Sequence, residues 1–176
     1  MKTFFRKKIG AISIVANDKQ YIKRLEQSVL ALRTWDYAEY RRVQKQLDTI
    51  FICHDIRNYN QTNVKERAWL VGRSLFAVKD YDIPYIASLI IHEAHHIAQF
   101  RAGKSYHGAK AEEMAYHYQR RFLKKIKYDY AIAWLDKRFS KRWWSAMDAQ
   151  SSSKKKMESL WKRYINKQFE VVDLRS

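Results

Sequence analysis

The chain contains almost no residues that interrupt helices. Its 176 residues include 4 glycines and 1 proline, while apolar residues make up 47%. Because glycine and proline are the usual breakers of helices, their scarcity favours long helices joined by few tight turns. The apolar fraction can supply a hydrophobic core, and the length fits one domain. We therefore expect a mostly helical α+β fold with a small sheet.

Hydrophobic periodicity divides the chain into predicted elements. Strands are predicted over residues 9–16 and 68–78, the second either as a single strand or as a bent hairpin around Gly72. A polar loop is predicted over residues 53–66, and a break over residues 151–153. Helices are predicted over residues 18–33, 36–52, 82–102, 109–127, 128–148 and 154–167.

The cysteine content and the charge restrict the classes of protein. The only cysteine is Cys53, so the chain can form neither an internal disulfide framework nor a cysteine-based structural zinc site. The formal net charge is +17, which indicates attraction to an anionic partner such as nucleic acid or an acidic membrane surface. The alternative is a basic surface that is simply solvated.

The N-terminal segment bears on localisation. Residues 1–8 are basic and residues 9–16 are apolar, as in a signal peptide, but the apolar segment is short and alternates like a strand. No apolar run is long enough to span a bilayer. We expect a soluble protein, cytoplasmic or otherwise, without a cleaved signal. Secretion as an effector is also compatible with the sequence.

One short motif, HExxH, carries the candidate chemistry. It comprises His92, Glu93 and His96 in the segment SLIIHEAHHIAQF, residues 88–100. Residues i and i+4 lie on one helix face, so both imidazoles can bind one metal ion, and Glu93 can reach a water on that metal. The flanking apolar residues predict a buried helix, where these polar groups would be costly without a metal. The alternative is a hydrogen-bonded polar patch, and His95 is expected to pack or to support the ligands.

A catalytic zinc ion needs a third protein ligand and one open position. The candidates are Glu112 and Glu113 in the following predicted helix, and His107 in the loop before it. On a helical wheel Glu112 lies about 100° from Ala111, beside the apolar face, whereas Glu113 lies about 200° away, towards solvent. Glu112 is therefore the preferred ligand, and His107 is the main alternative.

Residues 68–126 resemble the HExxH zinc metallopeptidases, the zincins. They look most like small gluzincin-type members, in which a glutamate on the next helix completes the site. The resemblance implies substrate binding along the strand 68–78 by strand addition. It also implies that Glu93 is the general base and that zinc is held by three ligands: His92, His96 and Glu112. Tyr116 stands where the family has an acidic residue.

A second resemblance concerns the segment after the motif. Tyr106, His107 and Gly108 are similar to the His-Gly element of SprT-like proteases, which act on proteins crosslinked to DNA. In that family the third ligand is a histidine, which would be His107 here, and the basic charge suits that role. Such proteins often carry a cysteine-rich zinc ribbon, which this sequence lacks.

Positive charge is concentrated in residues 120–167, which hold 15 Lys or Arg and 4 Asp or Glu. Interleaved aromatic residues suit stacking on nucleic-acid bases or a membrane interface, although core residues at helical spacing give the same pattern. These aromatic residues are Tyr128, Tyr130, Trp134, Phe139, Trp143, Trp144, Trp161 and Tyr164. The candidate polyanion patch comprises Lys137, Arg138, Lys141, Arg142, Lys154, Lys155 and Lys156.

The sequence thus predicts two regions and one leading function. Residues 1–127 would form a zincin-like metallohydrolase domain, with a small sheet packed on the motif helix. Residues 128–176 would form a basic, aromatic helical extension packed on the same domain. The leading hypothesis is a peptidase with one zinc ion, in which Glu93 activates a zinc-bound water to cleave a protein or peptide. The alternatives are a nucleic-acid or polyanion-binding protein on a zincin scaffold, active or not, and a toxin or effector docked by its basic tail.

Overall fold

A six-stranded mixed sheet organises the part of the chain that the computed structural model describes, residues 3–57, 59–77, 82–138 and 151–175. The strands are β1 (Thr3–Ile9), β2 (Ile12–Ala16), β3 (Thr49–Cys53), β4 (Asn60–Asn63), β5 (Ala68–Gly72) and β6 (Glu170–Asp173). The helices are α1 (Lys19–Trp35), α2 (Tyr37–Gln46), α3 (Ser74–Ala77), α4 (Ile83–Arg101), α5 (Ala109–Lys125), α6 (Asp129–Arg138) and α7 (Ser151–Ile165). The fold is α+β and mostly helical, as predicted.

The strand order is β4-β5-β3-β2-β1-β6. Strands β2, β3 and β5 run parallel to one another, whereas β1 is antiparallel to β2 and β4 is antiparallel to β5. Strand β6 pairs parallel to β1, so the last described strand lies beside the first. The two edges of the sheet are β4 and β6.

Alternate residues of the central strands face two separate cores. Ile50 and Trp69 point towards the layer of helices that contains α1, α2, α4, α5 and α6. Phe51 and Leu70 point to the other face, where α7 packs. Trp161 of α7 is 6% exposed, and its ring meets the Phe51 ring edge-on at 5.6 Å between centroids. Helix α7 therefore covers one face of the sheet and belongs to its core.

Helices α1, α4 and α5 agree with the sequence prediction. Capping residues mark the starts of α1 and α4. The Asp18 carboxylate accepts a hydrogen bond from the Gln20 N–H at the start of α1, at 2.8 Å. The Asp82 carboxylate accepts one from the Tyr85 N–H at the start of α4, at 3.1 Å, and Pro84 lies in the first turn. Helix α5 begins at Ala109, as predicted, and ends two residues before the predicted end at residue 127.

The predicted helix over residues 36–52 is wrong in its second half. Helix α2 ends at Gln46, and the following β-branched and aromatic segment forms β3 at the centre of the sheet. The Lys45 carbonyl at the helix end accepts hydrogen bonds from Arg67 at 2.7 Å and from Arg101 at 2.9 Å. Both arginines are distant in sequence, so tertiary contacts fix the end of this helix.

Other boundaries also differ from the predictions. The predicted strand 9–16 is divided by a turn at Gly10, which has a φ of 59°, and the residues before the turn form β1. The predicted loop 53–66 contains β4, and the predicted strand 68–78 ends at Gly72. A side chain at Gly72 would meet the backbone of Ile56, Arg57 and Tyr59, so the close approach of that segment requires glycine here.

The C-terminal third is only partly described. The predicted helix 128–148 corresponds to α6 as far as residue 138, and residues 139–150 lie outside the described part of the chain. The predicted break at residues 151–153 is wrong, since α7 begins at Ser151. The sequence did not predict β6. Across the described ranges, no helix combines the length and apolarity needed to cross a bilayer.

Candidate metal centre

The candidate site lies between α4 and α5, which form a helical hairpin. The intervening loop turns at Gly103 and Gly108, which have φ values of 67° and 85°, in the region that favours glycine. A buried hydrogen bond from Gln119 Nε2 to Ser88 Oγ, 3.0 Å long, ties the far ends of the two helices together. The hairpin thereby brings the first turn of α5 against the motif on α4.

Three side chains of the hairpin converge on one point. His92 Nε2 lies 3.1 Å from Glu112 Oε2 and 3.1 Å from His96 Nε2. His96 Nε2 lies 3.3 Å from Glu112 Oε1. His96 is 5% exposed, and the side chains of His92 and Glu112 are 13% and 29% exposed. The group is thus largely shielded from water but reachable from the surface.

This arrangement fits a tetrahedral metal ion. Ligand atoms bonded to tetrahedral zinc at about 2.0–2.2 Å lie about 3.3–3.6 Å from one another, close to the separations found here. Two imidazoles and one carboxylate are also a ligand set that catalytic zinc uses with one position left open. His92, His96 and Glu112 can therefore hold a metal ion, with ligand atoms that all lie within 4.8 Å of one another.

The charges of the group support one another. Burial disfavours ionisation of Glu112, but hydrogen bonds from His92 and His96 outweigh this and hold its pKa well below the usual range. Burial likewise disfavours the charged form of His96, yet the carboxylates of Glu112 and Glu93 raise its pKa. The site thus favours an ionised Glu112 carboxylate with positive charge beside it.

Glu93 lies beside this group and is supported from the sheet. Its side chain is on α4, the residue is 5% exposed, and its Oε2 accepts a hydrogen bond from the Thr62 hydroxyl on β4. The sequence does not point to Thr62, because β4 lies in a segment predicted as a loop and only sheet pairing brings it to α4. A carboxylate held in this way has a fixed orientation.

The structure also revises the predicted strand for substrate addition. Strand β5, within the predicted segment 68–78, has both of its edges paired, one with β3 and the other with β4. It cannot accept a further strand. The edge strand on this side of the sheet is β4, which also carries Thr62.

The other ligand candidates lie apart from the group. His107 is an exposed loop residue whose ring contacts Tyr106, and Glu113 is exposed on α5. Neither belongs to the candidate metal group found among the described residues. The prediction that His95 packs is confirmed, because its ring stacks on Tyr118 at 4.1 Å. Burial, together with the neighbouring imidazoles, lowers the pKa of His95 to about 4.

Tyr116 joins two helices through its hydroxyl group. It lies one turn after Glu112, and its hydroxyl donates a hydrogen bond to Asp136 on α6. Arg120 makes two further hydrogen bonds to the same carboxylate, each 2.9 Å long. This cluster joins α5 to α6.

The predicted polyanion patch is spread over two helices on opposite faces of the sheet. Lys137 is exposed on α6, in the helical layer, whereas Lys155 and Lys156 are exposed on α7. Lys141 and Arg142 lie outside the described residues, as do the side chains of Arg138 and Lys154.

The aromatic residues of this region divide between core and surface. Trp161 is buried against the sheet, while Tyr128, Trp134 and Tyr164 are partly buried. Tyr130 is 61% exposed. Phe139, Trp143 and Trp144 lie outside the described part of the chain.

No protein-family model, no curated protein and no solved structure matches the chain. The case for its function therefore rests on the geometry of the site.

Proposed function

We propose that the protein is a zinc-dependent metallohydrolase and that it acts as a peptidase. The observation that carries the proposal is the convergence of His92, His96 and Glu112 within 3.1–3.3 Å, with Glu93 beside them. A cation at their centre would balance the charge of the Glu112 carboxylate and accept a lone pair from each of the three side chains.

Each residue of the site has a role in this proposal. The two imidazoles and the Glu112 carboxylate hold the metal and leave one position open. When bound, zinc polarises the carbonyl to be attacked and lowers the pKa of a coordinated water. Glu93 accepts the proton from the attacking water and returns it to the leaving amide nitrogen. Thr62 holds the Glu93 carboxylate in place through its hydroxyl.

Strand β4 supports the choice of a peptide as the substrate. It is an edge strand of the sheet, with no strand paired on its outer side among the described residues, and it contacts α4 beside Glu93. An extended peptide can pair with such an edge through main-chain hydrogen bonds. The proposed binding strand is therefore β4, in place of the segment 68–78 that the sequence indicated.

Removal and return of the metal test this proposal. We expect the zinc-loaded protein to cleave members of a proteome-derived peptide library, with new termini identified by mass spectrometry. Treatment with a zinc chelator should abolish cleavage, and zinc, but not magnesium, should restore it, because a site with two histidines favours zinc over a hard cation. A protein that binds zinc at this site yet leaves the library and folded protein substrates intact would contradict the peptidase assignment.

A second candidate function is nucleic-acid binding by the outer face of α7. Met157, Leu160 and Trp161 are buried against the sheet, so the opposite face of the helix points to solvent. That face carries four exposed cations, none of them in an ion pair with another described residue: Lys155, Lys156, Lys162 and Arg163. A helix that lies on a membrane buries its apolar face in the lipid, but the apolar face of α7 already covers the sheet. Phosphates are therefore the better partner.

This candidate predicts a binding strength that depends on salt but not on nucleotide sequence. The logarithm of the affinity for a mixed-sequence DNA duplex should fall as the logarithm of the salt concentration rises. We expect this slope to be shallower by about two in the Lys155→Glu/Lys162→Glu double variant, because two phosphate contacts are lost. Fluorescence anisotropy measures the slope. The matched control is Lys23→Glu/Lys65→Glu, which reverses two exposed lysines elsewhere. Equal losses in both double variants, or binding to anionic vesicles but not to the duplex, would refute the assignment of this face to nucleic acid.

A further inference from the structure

The side chain of Gln99 links both halves of the candidate metal centre. Gln99 lies on α4, three residues after His96, and is 4% exposed. Its Oε1 is 3.2 Å from His96 Nδ1. Its Nε2 donates a hydrogen bond, 3.3 Å long, to the carbonyl of Ala111, the residue before Glu112. One buried amide thus contacts one candidate ligand and the backbone next to another.

We propose that Gln99 is a positioning residue that fixes the tautomer of His96 and thereby leaves His96 Nε2 free to bind zinc. The inference rests on the proposed metal site, since it concerns how that site is prepared for the ion. A hydrogen-bond partner on the second ring nitrogen orients a ligating histidine and sets which nitrogen carries the hydrogen.

The orientation of the amide follows from the groups around it. The Ala111 carbonyl can only accept a hydrogen bond, so the amide NH2 of Gln99 must face it. The Gln99 oxygen then faces His96, and because this oxygen can only accept, Nδ1 of His96 must carry the hydrogen. His96 Nε2 lies 3.1 Å from His92 Nε2 and 3.3 Å from a Glu112 oxygen, so a protonated His96 donates from Nε2 to this side and from Nδ1 to Gln99. When zinc displaces one proton, Nδ1 keeps its hydrogen because of Gln99, and the Nε2 lone pair is left for the metal.

Among the described residues, His96 has a hydrogen-bond partner on its Nδ1, whereas His92 has none. Nδ1 of His92 is buried and has no hydrogen-bond partner among the described residues. The ring of His96, by contrast, is held by Gln99, which is itself held by the first turn of α5. Gln99 therefore fixes His96 and also the approach of Glu112 to α4.

The test uses the Gln99→Leu variant, which keeps the approximate side-chain volume and removes both hydrogen bonds. In zinc-free wild-type protein at alkaline pH, long-range ¹H–¹⁵N NMR should show His96 protonated on Nδ1, and the variant should show a mixture of tautomers. Zinc affinity, measured by competition with a chromogenic chelator, should fall by about 10–100-fold.

Two further variants separate positioning from general stability. Gln119→Leu is the matched control, because Gln119 is 2% exposed and bridges the same two helices without touching a ligand. It should leave the His96 tautomer and the zinc affinity unchanged. Gln99→Glu keeps an acceptor for Nδ1–H and should preserve the tautomer even though it loses the bond to Ala111.

Two results would overturn the inference: an unchanged His96 tautomer and zinc affinity in Gln99→Leu, or equal losses in Gln119→Leu. Failure of the proposed function looks different. If wild-type protein bound no zinc, the metal site would be refuted, whereas the NMR measurement on zinc-free protein would still report whether Gln99 sets the tautomer.

Discussion

Replacement of Glu93 by glutamine is expected to lower the rate of peptide hydrolysis by about 10²–10⁴-fold, the usual contribution of a general base. The substitution keeps the size of the side chain and its acceptor for the Thr62 hydroxyl, but the amide cannot take a proton from the attacking water. The effect should fall on kcat rather than on KM, because the proton is transferred in the chemical step. Cleavage of a peptide selected from the library, followed at several concentrations, measures both constants.

The zinc content of Glu93→Gln shows whether activity is lost with the general base or with the metal. Glu93 is not one of the three converging ligands, so Glu93→Gln should retain about one zinc per chain. The control is Glu113→Gln, the same chemical change at an exposed residue of α5, which should be fully active. Full activity in Glu93→Gln with zinc bound would remove Glu93 from the mechanism, and another base would have to be sought.

Removal of a converging ligand should have a larger effect on the metal itself. We expect wild-type protein to carry about one zinc per chain and the His96→Ala and Glu112→Ala variants to carry almost none after dialysis. Each variant leaves two protein ligands, and in Glu112→Ala the charge that balances the cation is also lost. Elemental analysis of the purified proteins gives the stoichiometry.

His107→Ala serves as the control for the third ligand. This exposed loop residue is not part of the converging group, so its loss should leave the zinc content unchanged. If instead Glu112→Ala kept its zinc and His107→Ala lost it, the third ligand would be the histidine that the SprT-like resemblance indicates. If the wild-type protein took up no zinc even after reconstitution, the metallohydrolase proposal would be refuted.

The zinc affinity should also depend on pH in a defined direction. Neighbouring carboxylates raise the pKa of His96, so in the metal-free protein this imidazole holds its proton to a higher pH than usual. Zinc must displace that proton. Affinity should therefore fall as the pH is lowered through the raised pKa of His96 and recover above it.

The sequence alone determined the parts of the protein that depend on local spacing. The 3.6-residue periodicity located α1 and α4, which begin in the structure at the capping residues Asp18 and Asp82. The i, i+4 spacing placed His92 and His96 on one face of a buried helix. A helical wheel of α5 predicted that Glu112, rather than Glu113, faces the motif helix α4. In the structure Glu112 contacts both imidazoles.

Contacts between distant segments decided the rest. Residues 49–52 continue an amphipathic pattern that fits a helix, but pairing with β2 and β5 makes them part of the central strand β3. Pairing across the sheet likewise set β4 at its edge, which is how Thr62 reaches Glu93. Gln99 lies within the motif helix, yet its partner Ala111 comes from α5. Local pattern thus specified which helices form and which way they face, whereas strand pairing and helix packing, which join residues far apart in sequence, decided what surrounds the site.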